Sequence, residues 1–188
     1  MILPPQRDPR LVTIRRGGTL TDADHRLLAL WAAACAEHVL PLVEAARPDD
    51  PRPRDALEHA RGWVRGEVGM MASRASGGHA MGAARDLEGA PRYAAYAAGQ
   101  AACVAHVAEH DLGAAAYAIK AVRAAAGAAA GAAAGAAVVS AAARRDAALE
   151  AGRAECRWQR DQLPEPVREL VLDDQRRRNA ICWSVFSP

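Results

Sequence analysis

Four side chains in the stretch AGQAACVAHVAEHDLGAAAYAIKAV, residues 98–122, could do chemistry together: Cys103, His106, Glu109 and His110. His106, Glu109 and His110 spell HxxEH. That is the inverted zinc-peptidase pattern, in which two imidazoles bind metal and the carboxylate serves as base. On a continuous helix the i, i+4 spacing brings both imidazoles to one face. Cys103, three residues before His106, joins that face. Cys103, His106 and His110 could therefore hold zinc or another transition metal. The chemistry would be metal binding or metal-dependent hydrolysis centred on the HxxEH helix. Against it, the HxxEH pattern is short and needs a third ligand, for which Glu150 and Glu155 lie only in a later segment, and nothing in the sequence settles a fourth ligand for Cys103, His106 and His110. A buried thiol and two hydrogen-bonded histidines account for the same residues, and this reading carries more weight. The sequence contains no GxSxG, P-loop or dinucleotide-binding glycine pattern. The adjacent carboxylates Asp49-Asp50 and Asp173-Asp174 would diverge on a helix rather than converge.

The elements that must position these residues are helical. Strand-favouring residues are few and alanine, the best helix former, dominates. Residues 1–20 read as an irregular N-terminal arm, with Pro4-Pro5, Pro9 and Gly17-Gly18. Residues 21–188 read as one helical domain. Thr21 with Asp24 resembles a capping box, so the first helix starts at Thr21 or Asp22. Leu27, Trp31, Cys35, His38 and Leu42 mark one face, which makes His38 a hydrogen-bonded core histidine before a ligand. Pro41 should kink or end that helix. The connector Arg47 to Arg54, RPDDPRPR, is stiff, and its turn chemistry explains its residues. It could also present Asp49, Asp50, Arg52 and Arg54 to a partner.

A second helix is expected from about Asp55 to Met71, then a loop over Ser73 to His79 at Gly77-Gly78. A short helix over Met81 to Leu87 should stop at Gly89. Pro91 then starts the helix that carries Cys103 and His106. It should break at Asp111 to Gly113, leaving His110 near a helix C-terminus, where the dipole favours a histidinium. Residues 124–136, AAAGAAAGAAAGA, form a period-four tract that is a weak helix or a linker before it is a docking face. Such a face would make a homodimer possible. An amphipathic helix is expected over Ala141 to Asp161 and a last one from Pro166. The last helix would turn Asp173, Asp174 and Arg176, Arg177 and Arg178 outward, as a second partner-facing region. The apolar end ICWSVFSP should pack on the body.

Composition narrows the function classes. A formal net charge of +2 leaves no strong field, and with aromatics at 4 % there is little for base stacking, so nucleic acid is not an expected partner. The charge-free run Ala124 to Ala143 is nearly all Ala and Gly, with only Val138 and Val139 favouring insertion, so no membrane span is expected. Four cysteines without a CxxC pair, in a chain with no signal-like opening, imply reduced thiols in the cytoplasm.

Three segments taken together carry a resemblance. They are DHRLLALWAAACAEHVLPLVEAARPDDPRPRDALEHARGW, AGQAACVAHVAEHDLGAAAYAIKAV and WQRDQLPEPVRELVLDDQRRRN. In order and combined extent they resemble the bacterial immunity proteins of the immunity-5-like family. The likeness covers most of Asp24 to Trp183, and the Ala/Gly tract is the main departure. The elements read along the chain add up to an all-α, single-domain helical bundle of about five to seven helices, and the resemblance likewise implies an all-helical fold. It also implies an intracellular antidote that binds and neutralises a cognate bacterial toxin without catalysing a reaction. It carries over no catalytic residue.

Overall fold

A computed structural model describes residues 3–4, 6–132 and 140–187. Among them are seven α-helices and no strand: α1 (Asp22–Ala46), α2 (Arg52–Arg65), α3 (Met70–Ala83), α4 (Gly89–Cys103), α5 (His110–Ala132), α6 (Ala141–Asp161) and α7 (Glu165–Arg178). The protein is an all-α helical bundle. Helices α4 and α5 pair at its centre. Helix α1 lies across both, α2 and α3 flank α4, and α6 flanks α5. The central pair is built from alanine: Ala94, Ala97, Ala98, Ala101, Ala114 and Ala118 are fully buried. Side chains this small let backbones approach closely. Leu28, Trp31, Val39, Leu112 and Ile119 supply the bulk that fills the remaining space.

Local signals place several ends correctly. The Thr21 hydroxyl accepts from the Asp24 amide at 3.0 Å and starts α1. Ser140 caps α6 in the same way at Ala143, and Pro166 sits in the first turn of α7. Pro41 does not end α1, which continues to Ala46. Pro41 and Glu37, whose carbonyl loses its partner, both lie on the exposed side of the helix, where water can replace the missing bond. Helix α2 stops at Arg65 because Gly66 adopts a left-handed conformation (φ 80°) and returns its amide to Gly62 and Trp63.

The loop expected over Ser73 to His79 is helical instead, as the middle of α3. A Cβ on Gly77 would lie 2.5 Å from the Gly99 carbonyl and 2.8 Å from the Cys103 sulfur. Gly77 therefore serves a close α3–α4 crossing rather than a turn. The separate helix expected over Met81 to Leu87 is the end of α3 and a short turn. In the Ala/Gly tract α5 remains helical to Ala132, and Gly127 and Gly131 face Ala148 and Arg144 of α6. That stripe is a contact within the chain; the rest of the tract, 133–136, lies outside the described residues.

The arm is tied down. Its Leu11 and Leu20 are buried, and Thr13 bridges to Leu20. Among the described residues one helix, α1, is long and apolar enough to cross a membrane, with mean hydropathy 1.5 over its best window, 56 % of which is buried in the bundle. Its Trp31 indole donates to the Gln159 carbonyl of α6 at 2.8 Å. These are the contacts of a core helix.

Candidate functional site

The α4–α5 junction holds the residues singled out by the HxxEH spacing, and it breaks their expected face. Helix α4 ends at Cys103, residues 104–109 form a turn, and His110 opens α5. Cys103, His106 and His110 thus lie on three different pieces of backbone. The break comes early because donors from distant elements take the carbonyls that α4 would leave unpaired. Ser73 Oγ donates to the Ala102 carbonyl (2.8 Å) and the His25 ring bonds the Val104 carbonyl through Nε2 (2.7 Å). Burial lowers the pKa of His25, while the bond to the Val104 carbonyl works in the opposite direction.

The expected metal face is corrected residue by residue. His110 begins a helix instead of ending one, so the dipole there opposes a positive ring. Its Nδ1 bonds Gln100 Oε1 at 2.6 Å, and burial pushes its pKa down to about 4. Cys103 is buried beside Arg74, and burial raises its thiol pKa, away from the thiolate a metal requires. His106 lines a cavity of about 340 Å³ rimmed by Arg7, Arg15, Arg16 and Arg26. Burial, then Arg74, Arg16 and Arg7, lower its pKa, and the same guanidiniums would repel a metal cation. Glu109, the base of the motif, is 1 % exposed and clamped by Arg7 through two bonds of 2.7 and 2.6 Å. Among the described residues no three His, Cys, Asp or Glu side chains form a group that could hold a metal ion.

What the junction does contain is a buried charge network that closes the bundle. Arg178, expected outward, is 4 % exposed. Its Nε donates to both oxygens of Asp174 (2.8 and 2.9 Å), its Nη1 to the Glu109 carbonyl (2.9 Å) and its Nη2 to Asp111 (3.3 Å). Asp174 and Asp111 are buried with it. Burial raises Asp111 to about 7 against the opposing field of Arg178. Burial also works against the charge on Arg178, but the hydrogen bond to Asp174 and the field of Asp111 hold its pKa above the ordinary value. The arm completes the lock: Arg10 pairs with Asp173 (2.5 Å), and Asp8 meets both Arg177 and Arg10. The hydrogen bond from Arg10 holds Asp8 down at about 2. Burial of Arg178 corrects its reading as a partner-facing residue. A run of three arginines on a helix must put one at a different angle, and here the third points inward.

The other residues read as partner-facing are at or near the surface, and all but Asp49 have ion-pair partners within the chain. Arg52 binds Asp50 (2.6 Å), Arg54 binds Glu44 (2.5 Å), Arg176 binds Asp173 (3.2 Å) and Arg177 meets Asp8. Asp49 is exposed in the connector. His38 is half exposed at the edge of the bundle. Its Nδ1 bonds buried Glu155 (2.8 Å), which also accepts from Gln159, and its ring stacks on Trp158. His38 is thus hydrogen-bonded as expected, though outside the core.

A site that sequence reasoning missed lies at the other end of α4 and the middle of α5. All three tyrosines of the chain, its only lysine and Trp183 meet there. Lys120 Nζ lies 3.9 Å from the Trp183 ring centre, 4.4 Å from that of Tyr93 and 5.9 Å from that of Tyr117. Tyr117 packs on Tyr96 and on Trp183, each at 5.0 Å between ring centres. Arg92 lies over Tyr96. Trp183 and Ser184 hold φ of 58° and 54°, a left-handed backbone that L side chains avoid, at about 1–3 kcal/mol each. The surroundings enforce it: Cys182, Val185 and Phe186 are buried, Asn179 accepts from the Ser184 and Phe186 amides, and Arg160 holds the Phe186 carbonyl. The result turns Trp183 out over Tyr117 and Lys120, 43 % exposed. The spacing Tyr93/Tyr96 and Tyr117/Lys120, each i, i+3, was the available signal; the link to Trp183 was not.

The sequence model of one protein family, described as "Imm-5 like putative immunity protein", matches residues 18–166, well over half of the chain. The chain belongs to this family. The match begins just before α1 and ends inside α7, so it takes in the central α4–α5 pair and the three tyrosines with Lys120. Neither the curated proteins nor the solved structures hold a match to the chain.

Proposed function

We propose that this protein binds a cognate bacterial toxin and neutralises it, acting in the cytoplasm and without catalysing a reaction. The observation that carries this reading is its membership of the immunity-5-like family across six of its seven helices and the start of the last. Two features of the structure agree with the non-catalytic, cytoplasmic part of this reading. Its buried charges are locked into the bundle, with Glu109 and Arg178 held by partners on other elements. Its cysteines are free and buried, as suits a reducing compartment. Asp49, Asp50, Arg52, Arg54, Arg176 and Arg177 are rim charges in this reading, suited to steering encounter more than to holding the complex. Co-expression with the toxin domain encoded beside this gene tests it. Restored growth and a stable one-to-one complex on size exclusion support the reading. Continued killing, with no complex formed by the two purified proteins, overturns it.

A further inference from the structure

We propose that the aromatic box around Lys120 is where this protein anchors its toxin, and that the box takes an acidic side chain from a loop of that partner. This rests on the toxin-binding reading above and names its contact surface and chemistry.

The chain carries 24 Lys and Arg residues, and only one of them is lysine. That lysine stands against Trp183 and Tyr93, in a cluster where Tyr117 packs on Tyr93, Tyr96 and Trp183. Among the described residues its ammonium has no carboxylate partner and no hydrogen-bond acceptor; it is surrounded by aromatic faces. The box opens into a cavity of about 380 Å³ lined also by Arg92 and Glu88. Two cations therefore face one acid at its rim. Tyrosine, tryptophan and arginine are the residue types that dominate binding hot spots. Exposed Trp183 extends the aromatic surface outward from Lys120 and Tyr117, which a folded partner can cover and a small anion cannot.

Charge decides the occupant. An apolar partner loop would cover the tyrosines but strand an ammonium with three unused donors, a costly arrangement. A carboxylate entering the box supplies those acceptors and sits against Arg92 as well. The aromatic rings then shield the pair from water and strengthen it. The left-handed backbone at Trp183 fits the same purpose: it preorganises one wall of the box, so less side-chain freedom is lost on binding.

A single lysine gives an unambiguous chemical probe. Wild-type protein, free and in complex with the toxin domain encoded beside its gene, is treated with an amine-acetylating reagent and mapped by mass spectrometry. Lys120 should acetylate in the free protein and be protected at least about fivefold in the complex, as expected for a hot spot ringed by contacts that exclude water. Lys120→Gln and Trp183→Ala should each weaken binding by about tenfold to a hundredfold. The salt dependence of affinity should be shallower for Lys120→Gln than for wild type. Equal acetylation of Lys120 in free and bound protein overturns the proposal and leaves toxin binding standing. So does unchanged affinity of a folded Lys120→Gln protein. Failure of the wild-type chain to bind the toxin at all overturns both. Acetylation is read on the wild-type protein, so it decides the matter even where a Trp183→Ala variant does not fold.

Discussion

Acid should weaken this fold through His110, and His110→Gln should remove that part of the loss. The ring opens α5, bonds Gln100 through Nδ1, and burial pushes its pKa from 6.5 down to about 4. At pH 7.5 it is neutral in both folded and unfolded chains and adds no pH dependence. As pH falls through 6.5 the unfolded chain takes up a proton that the folded chain refuses until about pH 4. Stability is therefore lost across that window at up to about 1.4 kcal/mol per pH unit, reaching about 3 kcal/mol at pH 4. Glutamine keeps a donor for Gln100 and cannot titrate. Its expected cost at pH 7.5 is about 1 kcal/mol, the worth of one imperfectly replaced hydrogen bond. The variant should then cross the wild type and become the more stable protein, by about 2 kcal/mol, near pH 4. Asp111 works in the opposite direction, since its raised pKa favours the folded state as pH falls, but it is present in both proteins and cancels in their difference to first order. Urea unfolding at pH 7.5, 6, 5 and 4, followed by tryptophan fluorescence, measures the gap. A gap that stays within about 0.5 kcal/mol of its pH 7.5 value would refute the reasoning, since a neutral, buried His110 requires it to change.

Other consequences follow from the same packing. Arg178→Met leaves Asp174 and Asp111 buried without their cation and should cost about 3–5 kcal/mol, read as a large fall in urea midpoint. A surface role for Arg178 would give almost none of that. Gly77→Ala and Gly78→Ala should have opposite signs. The first drives a methyl into the Gly99 carbonyl and should destabilise by about 1–3 kcal/mol. The second meets open space and should stabilise α3 by up to about 1 kcal/mol, both read by thermal melts. The four buried thiols should react with a thiol reagent far more slowly in native protein than in denaturant; fast native labelling of Cys35 would contradict its complete burial.

Local chemistry was legible wherever it sufficed. The Thr21 cap, the Pro166 start and the span of α6 follow from residues a few positions apart. The misplaced elements share one cause. Gly77-Gly78 reads as a loop until Gly99 of another helix is seen to need the space. Asp111 and Gly113 read as a break until His25 and Ser73 are seen to cap α4 about two turns earlier. Arg178 reads as solvated until Glu109 and Asp111 arrive beside it. The HxxEH spacing failed for the second of these reasons: its helix does not continue through His106.

Composition, periodicity and cap residues alone determined that the chain is all-α and where several of its helices begin or end; the order and combined extent of three segments carried its resemblance to a family. These are properties of neighbours along the chain, and alanine's helix preference needs no tertiary partner to express itself. The tertiary structure alone decided which charges are buried together, where α4 stops, and that Lys120, the three tyrosines and Trp183 form one cluster. Each depends on groups tens of residues apart, because a carbonyl, a guanidinium or an aromatic ring takes whatever partner packing brings to it.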